Sequence, residues 1–303
     1  MKQPLVTVII PHLNQPEFLQ RCLESITVQS YDPNLVDIIV VDNGSKELPN
    51  AICGMFKQVK LLSEATPGPG PARNKGVAAA KTELLAFIDA DCLADVNWLG
   101  ALTQALQRPD TDIIGGDVRI AYEDPNNLTA LEAYETVFAY RQKEYIEKKG
   151  FSGTGNLATK KAVIKKIGPF RGIEVAEDRD GGNRAQKLGF KIKFIPNMIV
   201  RHPARKTFGE LTDKWNRQMS HDFEEIPMSP SRKLRWLARA TMVAISPLVD
   251  FQKVIWSNQL HSPADRLKAC GVLIKIRLYR AIRMFGILLR NQNQESAKLW
   301  NRK

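Results

Sequence analysis

Three short apolar runs, LVTVIIP (5–11), VDIIVVD (36–42) and LLAFID (84–89), constrain this chain more than anything else in it. Each is six or seven residues long and ends in turn chemistry, as buried parallel strands do. Between the first two, PEFLQRCLESITVQ puts Phe18, Leu19, Cys22, Leu23 and Ile26 on one helix face. The pattern then repeats: KLL (60–62) as a strand, PARNKGVAAAK (71–81) as a helix, VNWLGALTQALQ (96–107) as a helix, TDIIGGDVRI (111–120) as a strand. Alternation at this spacing predicts an α/β fold, a mostly parallel sheet with helices on both faces. Ligands of such sheets bind beyond the carboxyl ends of the strands. Asp42 and Asp89 both fall there.

Further along, a long helical segment is predicted from about Leu128 to Lys148, then a glycine-punctuated loop, FSGTGN (151–156), and a short basic helix. VAEDRDGGNRAQKLGF reads as a helix start with Asp180 and Arg184 paired at i,i+4. FKIKFIPNMIVRHPA gives two short strands around Pro196, and from Ser229 onward the chain is helical and basic. Residues 1–225 thus read as one α/β domain and 226–303 as a basic amphipathic helical region.

Charge separates the two regions. Residues 1–200 hold 24 Lys+Arg against 24 Asp+Glu, 201–230 hold 5 against 5, and 231–303 hold 15 against 3, so the whole excess of +12 lies in the last 73 residues. A neutral body with a basic tail is not the pattern of a nucleic-acid-binding protein, and no nucleic acid partner is expected. Met1-Lys2-Gln3-Pro4 leads straight into LVTVII without a secretory pattern. No run approaches the ~20 apolar residues of a spanning helix. Cys22, Cys53, Cys92 and Cys270 are too dispersed for a zinc or CxxC pattern, which fits a reduced, cytoplasmic setting.

The candidate chemistry lies at strand ends. Asp89 and Asp91 directly follow Leu84–Ile88, where ionised carboxylates are costly unless a cation meets them. Hard oxygens at the ligand edge of a sheet suit Mg²⁺ or Mn²⁺; a capping or turn role is the alternative. Two more Asp-x-Asp pairs occur, and Asp110/Asp112 is explained by a turn. TPGPGPARNKG (66–76) opens a helix with Arg73 and Lys75 in its first turns, suiting a diphosphate or a base edge, or else forming a rigid loop with a solvated basic face. It is neither a Walker A loop nor G-x-G-x-x-G. Glu177 and Asp178 stand at a helix start, either as caps or with one carboxylate as general base toward an acceptor hydroxyl. His202 ends a strand, in a structural role or completing a metal shell.

In order, VTVIIPHLNQPEFLQRCLESI, IIVVDNGS, PGPARNKGVAAAKTELLAFIDADC, GTGNLA and VAEDRDGGNRAQKLGF resemble a family 2 glycosyltransferase of the GT-A fold, over about residues 4–225. The resemblance implies a nucleotide-sugar half at about 1–120 and an acceptor half at about 121–225. It implies that Pro11, Leu13 and Asn14 line the nucleotide pocket and that Asp42 holds the base or ribose, with Arg73 and Asn74 nearby. Asp89 and Asp91 would be the DxD pair, meeting ribose and, through a divalent metal, the diphosphate. Asp178 would be the catalytic base supported by Glu177, and His202 matches a metal position of some GT-A enzymes. The implied reaction is inverting transfer of one sugar to a hydroxyl of a glycan or lipid-linked acceptor. Departures are Gln15 where the family has an acid, Asn43 where many members have a second Asp, and KWNRQMSHDF, with Arg217 and His221, in place of the processive Q-x-x-R-W.

Two other readings compete. A sugar-phosphate nucleotidyltransferase would need a glycine-rich loop where this chain has HLNQPEF, and a non-catalytic membrane- or RNA-binding module leaves the strand-end aspartates unexplained. In the tail, Leu267, Cys270, Ile274, Leu278, Ala281, Ile282, Phe285, Leu288 and Leu289 share one helical arc, with Arg266, Lys268, Lys275, Arg277, Arg280, Arg283 and Arg290 outside it. That arc either packs on the protein, notably on 240–249, with the arginines solvated, or lies on an anionic membrane surface.

Overall fold

The computed structural model describes residues 3–224, 226, 229 and 231–290. They form two compact units, one from the residues up to Arg119 with Arg141–His202, the other from Ile120–Tyr140 with the described residues from Pro203 on.

Eight strands make one sheet: β1 (Val6–His12), β2 (Val36–Asp42), β3 (Val59–Ser63), β4 (Leu84–Ile88), β5 (Leu93–Ala94), β6 (Ile113–Ala121), β7 (Asn156–Lys160) and β8 (Ile192–Pro203), in the order β3-β2-β1-β4-β7-β6-β8-β5. The first four are parallel, with Ile9 facing Ile39 on one side and Phe87 on the other. Successive residues Val8, Ile9 and Ile10 are all fully buried, so both faces of β1 are covered, and an unbroken apolar run is what such a strand requires. Beyond β4 the pairing turns antiparallel, through β7 and then β6.

The helices are α1 (Pro16–Thr27), α2 (Asn50–Gly54), α3 (Pro69–Ala79), α4 (Trp98–Leu106), α5 (Ala130–Phe138), α6 (Gln142–Lys149), α7 (Lys161–Ile167), α8 (Glu177–Lys187), α9 (Phe208–Glu224), α10 (Arg232–Ile245), α11 (Pro247–Ile255) and α12 (Pro263–Arg290). In the first unit, Ala72, Val163 and Ala185 of α3, α7 and α8 close one sheet face over Ile9, Ile39 and Phe87.

Four local expectations are revised. The single helix over 128–148 is two, because the Thr129/Glu132 capping box fixes the start of α5 and Arg141, at φ −116° and ψ 55°, leaves helical geometry before α6. Residues 156–160 form a strand, β7, that is not among the elements expected from the sequence, and only Asn156 of it falls in the loop expected over 151–156. Its polar Asn156 and Thr159 are buried because Asn156 accepts from Trp98 Nε1 (2.8 Å) and donates to Asp117 O and Met198 O, while Thr159 donates to Asp112 O. The two strands around Pro196 are one, since Pro196 sits at an exposed position of β8 where a missing N–H costs little.

The fourth revision concerns α12. It is the central helix of the second unit, packing Ala269, Val272, Leu273 and Ile276 against α5, α9 and α11, and Met284 against Trp236, Ala240 and Val243 of α10. This is not the arc predicted from the sequence. Leu267, Ile274, Leu278, Ile282 and Phe285 of that arc are exposed, whereas Ala281 is buried and Leu288 packs partly against α10. The side chains of Leu289 and Arg290, like that of His221, lie outside the described residues. The arginines are not all solvated either: Arg277 pairs with Asp250 (2.7 Å) and Arg280 is buried.

Candidate active site

The site is built on three loops at the carboxyl ends of β1, β2 and β4, joined by the segment before β7, the start of α8 and the end of β8. At the first two ends, buried His12 and Asp42 face each other. The Gln15 N–H donates to His12 Nε2 (3.2 Å), leaving Nδ1–H to donate to Asp42 Oδ1 (3.0 Å). Asp42 Oδ2 accepts from Gly44 N and Ser45 N at 3.1 and 3.0 Å. Burial pushes the Asp42 carboxyl up, but bonds from Ser45, His12 and Gly44 outweigh it and hold the pKa below the usual carboxylate value. Asn14, in the left-handed region at φ 52°, accepts from Lys46 N through its side chain (2.9 Å) and donates its own N–H to Ser45 Oγ (2.8 Å). The loop carrying half-buried Pro11, Leu13 and Asn14 is thereby tied to the loop after Asp42.

Asn43 has a structural reason to be an amide. Its Nδ2 donates to Glu64 O (3.0 Å) and Thr66 O (2.7 Å) while Oδ1 accepts from Gly68 N (2.7 Å). A carboxylate could make only the last of these. Asn74 is likewise engaged, exchanging two bonds with the backbone of Phe170.

The cation that meets Asp89 belongs to the chain. Arg73, in the first turns of α3 and buried, donates Nη2 to Asp89 Oδ1 at 2.6 Å and Nη1 to Glu177 Oε1 at the start of α8. Burial disfavours the guanidinium charge, yet Glu177 and Asp89 outweigh it and raise its pKa. Two glycines permit this closeness: a Cβ on Gly70 would stand 2.0 Å from Arg171 O and 2.7 Å from Glu177 Oε2, and one on Gly155 would stand 2.5 Å from Asp89 Oδ2.

Asp178 is next in line. Its Oδ1 accepts from Thr154 N (3.0 Å) and Thr154 Oγ1 (2.9 Å), and its Oδ2 has no hydrogen-bond partner among the described residues. A small cavity of about 40 Å³ lies against Thr154, Glu177 and Asp178, walled by Leu157, Ile164 and Ile167. Burial in these surroundings raises both carboxyls, Glu177 to about 7, with Arg73 opposing and the neighbouring carboxylates adding to the shift. Three carboxylates share one arginine. Asp180, two positions on, points elsewhere and pairs with Arg184 at 2.8 Å.

Asp91 sits apart from that arginine, with its Oδ2 3.2 Å from His202 Nε2 near the end of β8. Burial raises Asp91, but the charge and hydrogen bond of His202 outweigh it, so its pKa is lowered. Donor atoms of Asp91, His202 and Cys92 lie within 4.8 Å of one another, the arrangement of a metal site. The Cys92 thiol is pushed well up by burial and stays protonated, so the donor set is one carboxylate and one imidazole. Such a set fits a divalent ion like Mn²⁺ that keeps further positions for oxygen ligands.

The structure therefore brings Arg73, Asp89, Glu177 and Asp178 into one network and Asp91 and His202 into a second. Asp42 and Asn74 have their polar atoms turned to protein partners. Sequence reasoning missed Thr154, His12 and the bridging role of Arg73. Thr154 lies inside the quoted GTGN run and His12 directly after the first strand, but nothing local reveals what either touches.

The chain matches the family Glycosyl transferase family 2 over residues 7–168. Among curated proteins, "Glycosyltransferase AglE" of Haloferax volcanii is 34% identical over 217 residues, covering 70% of each chain. "Glycosyltransferase GlyG" of Streptococcus pneumoniae is 32% identical over 118 residues, covering 37% of this chain and 38% of its own. Among solved structures, a mannosyltransferase from Pyrobaculum calidifontis, in complex with GDP-Man and Mn²⁺, aligns with a TM-score of 0.61 at 17% identity, covering 97% of this chain and 89% of that one. The fold is thus that of a GT-A glycosyltransferase. The chain belongs to glycosyl transferase family 2, and it is a glycosyltransferase.

Proposed function

We propose that the protein moves one sugar from a nucleoside-diphosphate sugar to a hydroxyl of a glycan or lipid-linked acceptor, with inversion, in a reaction that needs Mg²⁺ or Mn²⁺. The observation that carries this reading is the three-carboxylate network on Arg73 beside the Asp91–His202 pair.

The loops after β1 and β2, pinned to each other by Asn14 and Ser45, offer the nucleotide pocket, with Pro11, Leu13 and Asn14 at its wall and Asp42 shaping it from below. Asp91 and His202 would hold the divalent ion, whose contribution is to neutralise charge developing on the leaving diphosphate. Arg73, bonded to Asp89 Oδ1, holds that carboxylate in place toward the donor ribose. Asp178 takes the proton of the attacking hydroxyl on Oδ2, with Oδ1 locked by Thr154, and its raised pKa makes it a stronger base than a solvated aspartate. Glu177 holds Arg73 in place on the side opposite its bond to Asp89.

The acceptor is reached at a membrane surface, on the cytoplasmic face. No described helix is long and apolar enough to cross a membrane. Helices α10 and α11 instead bury Trp236, Ala240, Val243 and Val254 and expose Leu234, Met242, Ile245, Leu248, Val249 and Trp256. At 100° per residue these fall into two opposite faces, an amphipathic arrangement with a second, outward apolar side. Lys233, Arg235 and Lys253 are exposed on the same helices, and the acids described in 231–290, Asp250 and Asp265, are buried and ion-paired. Such a surface suits anionic lipid, with the exposed Trp256 at headgroup level.

Incubation with a panel of nucleotide-sugars and Mn²⁺ tests the reaction. Release of nucleoside diphosphate with one donor, and an inverted anomeric product by proton NMR, is the expected result. Release of pyrophosphate would mean nucleotidyl transfer, and silence with every donor would mean no transferase activity.

A further inference from the structure

The second unit carries three cations, Lys214, Arg217 and Arg280, that form no ion pair among the described residues; Glu135, Asp213 and Asp222 act on them only at longer range, and Arg217 and Arg280 both press on the charge of Lys214. Arg205 is satisfied, because buried Glu135 accepts from its backbone N–H (2.9 Å) and its guanidinium. Lys214, on α9, lies with Nζ 5.6 Å from the centre of the Tyr140 ring and forms no ion pair among the described residues. Arg217 is one turn on, a spacing that puts both side chains on one face of α9, and it too is unpaired; Asp213 acts on it only at longer range. From α12 comes Arg280, its guanidinium carbon 3.5 Å from the centre of the Trp215 ring. Arg280 is 5% exposed, and its Nε and Nη1 have no hydrogen-bond partner, nor has Trp215 Nε1.

We propose that Lys214, Arg217 and Arg280 form an anion site in the second unit that takes the phosphate group of a lipid-linked acceptor. Removing cations from water without a counter-charge destabilises the folded state, and a bound anion supplies what is missing. The strain is visible in the groups themselves. Burial, then the charge of Arg205, pushes Lys214 down to about 8, and burial, then Arg277, pushes Arg280 down to about 9. Guanidinium forks and an ammonium together suit a tetrahedral phosphate with several acceptor oxygens. A phosphate carried on a lipid is favoured over free phosphate by the outward apolar faces of α10, α11 and α12 in the same unit. The inference rests on the acceptor reading above and adds to it the group by which the acceptor is held.

Calorimetric titration of the full-length protein tests it, with farnesyl phosphate, farnesol and inorganic phosphate as probes, on the native chain and on Lys214→Met and Arg217→Gln. Farnesyl phosphate should bind the native protein, and each substitution should weaken it at least about tenfold, the effect of losing a charge-assisted hydrogen bond. Binding of a nucleoside diphosphate with Mn²⁺, which uses the first unit, should not change. Lys214→Met should also melt at a higher temperature than the native chain when no phosphate is present, since an uncompensated charge has gone. Equal affinity in all three proteins, or weakened affinity accompanied by lower melting temperatures in both variants, would overturn the site. Inorganic phosphate binding as tightly as farnesyl phosphate would overturn the lipid source. Failure of the glycosyltransferase reading looks different: nucleoside diphosphate would not bind, while farnesyl phosphate still did.

Discussion

The two units carry opposite surpluses. In the first, Asp89, Glu177 and Asp178 converge on the single guanidinium of Arg73. In the second, Asp222, Asp250 and Glu135 each have a cation, and Lys214, Arg217 and Arg280 are left over. Folding stability explains neither, because a buried charge without a partner destabilises the native state. The proposed reaction would supply the complements, a divalent cation beside the carboxylates of the first unit and an anionic acceptor group for the cations of the second.

The largest break in this comparison comes from Asp91. Asp91→Asn should lower turnover by roughly a thousandfold or more, as losing several kcal/mol of leaving-group stabilisation requires, while circular dichroism holds and melting temperature falls only by what the lost pairing with His202 costs. EDTA should do the same to the native protein; full activity in EDTA would remove the metal from the account. Next is Arg73→Met, which strands buried carboxylates and should destabilise the fold by about 3–5 kcal/mol in urea titrations. Asn43→Asp should cost about 1–3 kcal/mol by leaving Glu64 O and Thr66 O without their donor.

A smaller effect follows from pH. Glu177 is raised from 4.5 to about 7, so in that window the folded state keeps a proton that the unfolded state has lost. Its contribution to stability is therefore full below pH 4.5 and lost as pH rises through 7, with a slope of at most about 1.4 kcal/mol per pH unit. Asp178, its pKa also raised by burial, works ionised, so turnover should climb with pH at values above those at which a solvated aspartate ionises. Parallel pH profiles of kcat and of urea midpoint would show the two trends, and a pH-independent kcat from 5 to 8 would contradict them. The smallest effect on the fold is expected from Leu248→Glu, on an exposed side chain: stability within about 0.5 kcal/mol of native, yet reduced co-sedimentation with anionic vesicles at low salt.

How much of this was legible follows from what each element relies on. β1, β2 and β4 announce themselves because a strand buried on both faces must be apolar throughout, and their ends locate Asp42 and Asp89. β7 does not, because Asn156 and Thr159 are buried on the strength of partners such as Trp98 and Asp112, far off in sequence. The outward arc of α12 was visible as a stripe, but that helix is apolar on more than one side, and periodicity cannot say which side packs. The Arg73–Glu177 pair joins residues 104 apart, so the sequence yields both residues and not their bond.

Two aspartates on one helix turn separate a base from a structural acid. Asp178 faces Thr154 and the cavity, while Asp180 pairs with Arg184 on another side of α8. The measurement is single-turnover sugar transfer, with donor affinity determined separately, for Asp178→Asn and Asp180→Asn. Asp178→Asn should lose rate by several orders of magnitude with donor affinity nearly unchanged, as removal of a base acting on the acceptor requires. The second should transfer at close to the native rate, with stability lower by about 0.2–0.5 kcal/mol. Native-like turnover in Asp178→Asn, or the larger loss in Asp180→Asn, would contradict the assignment of the base.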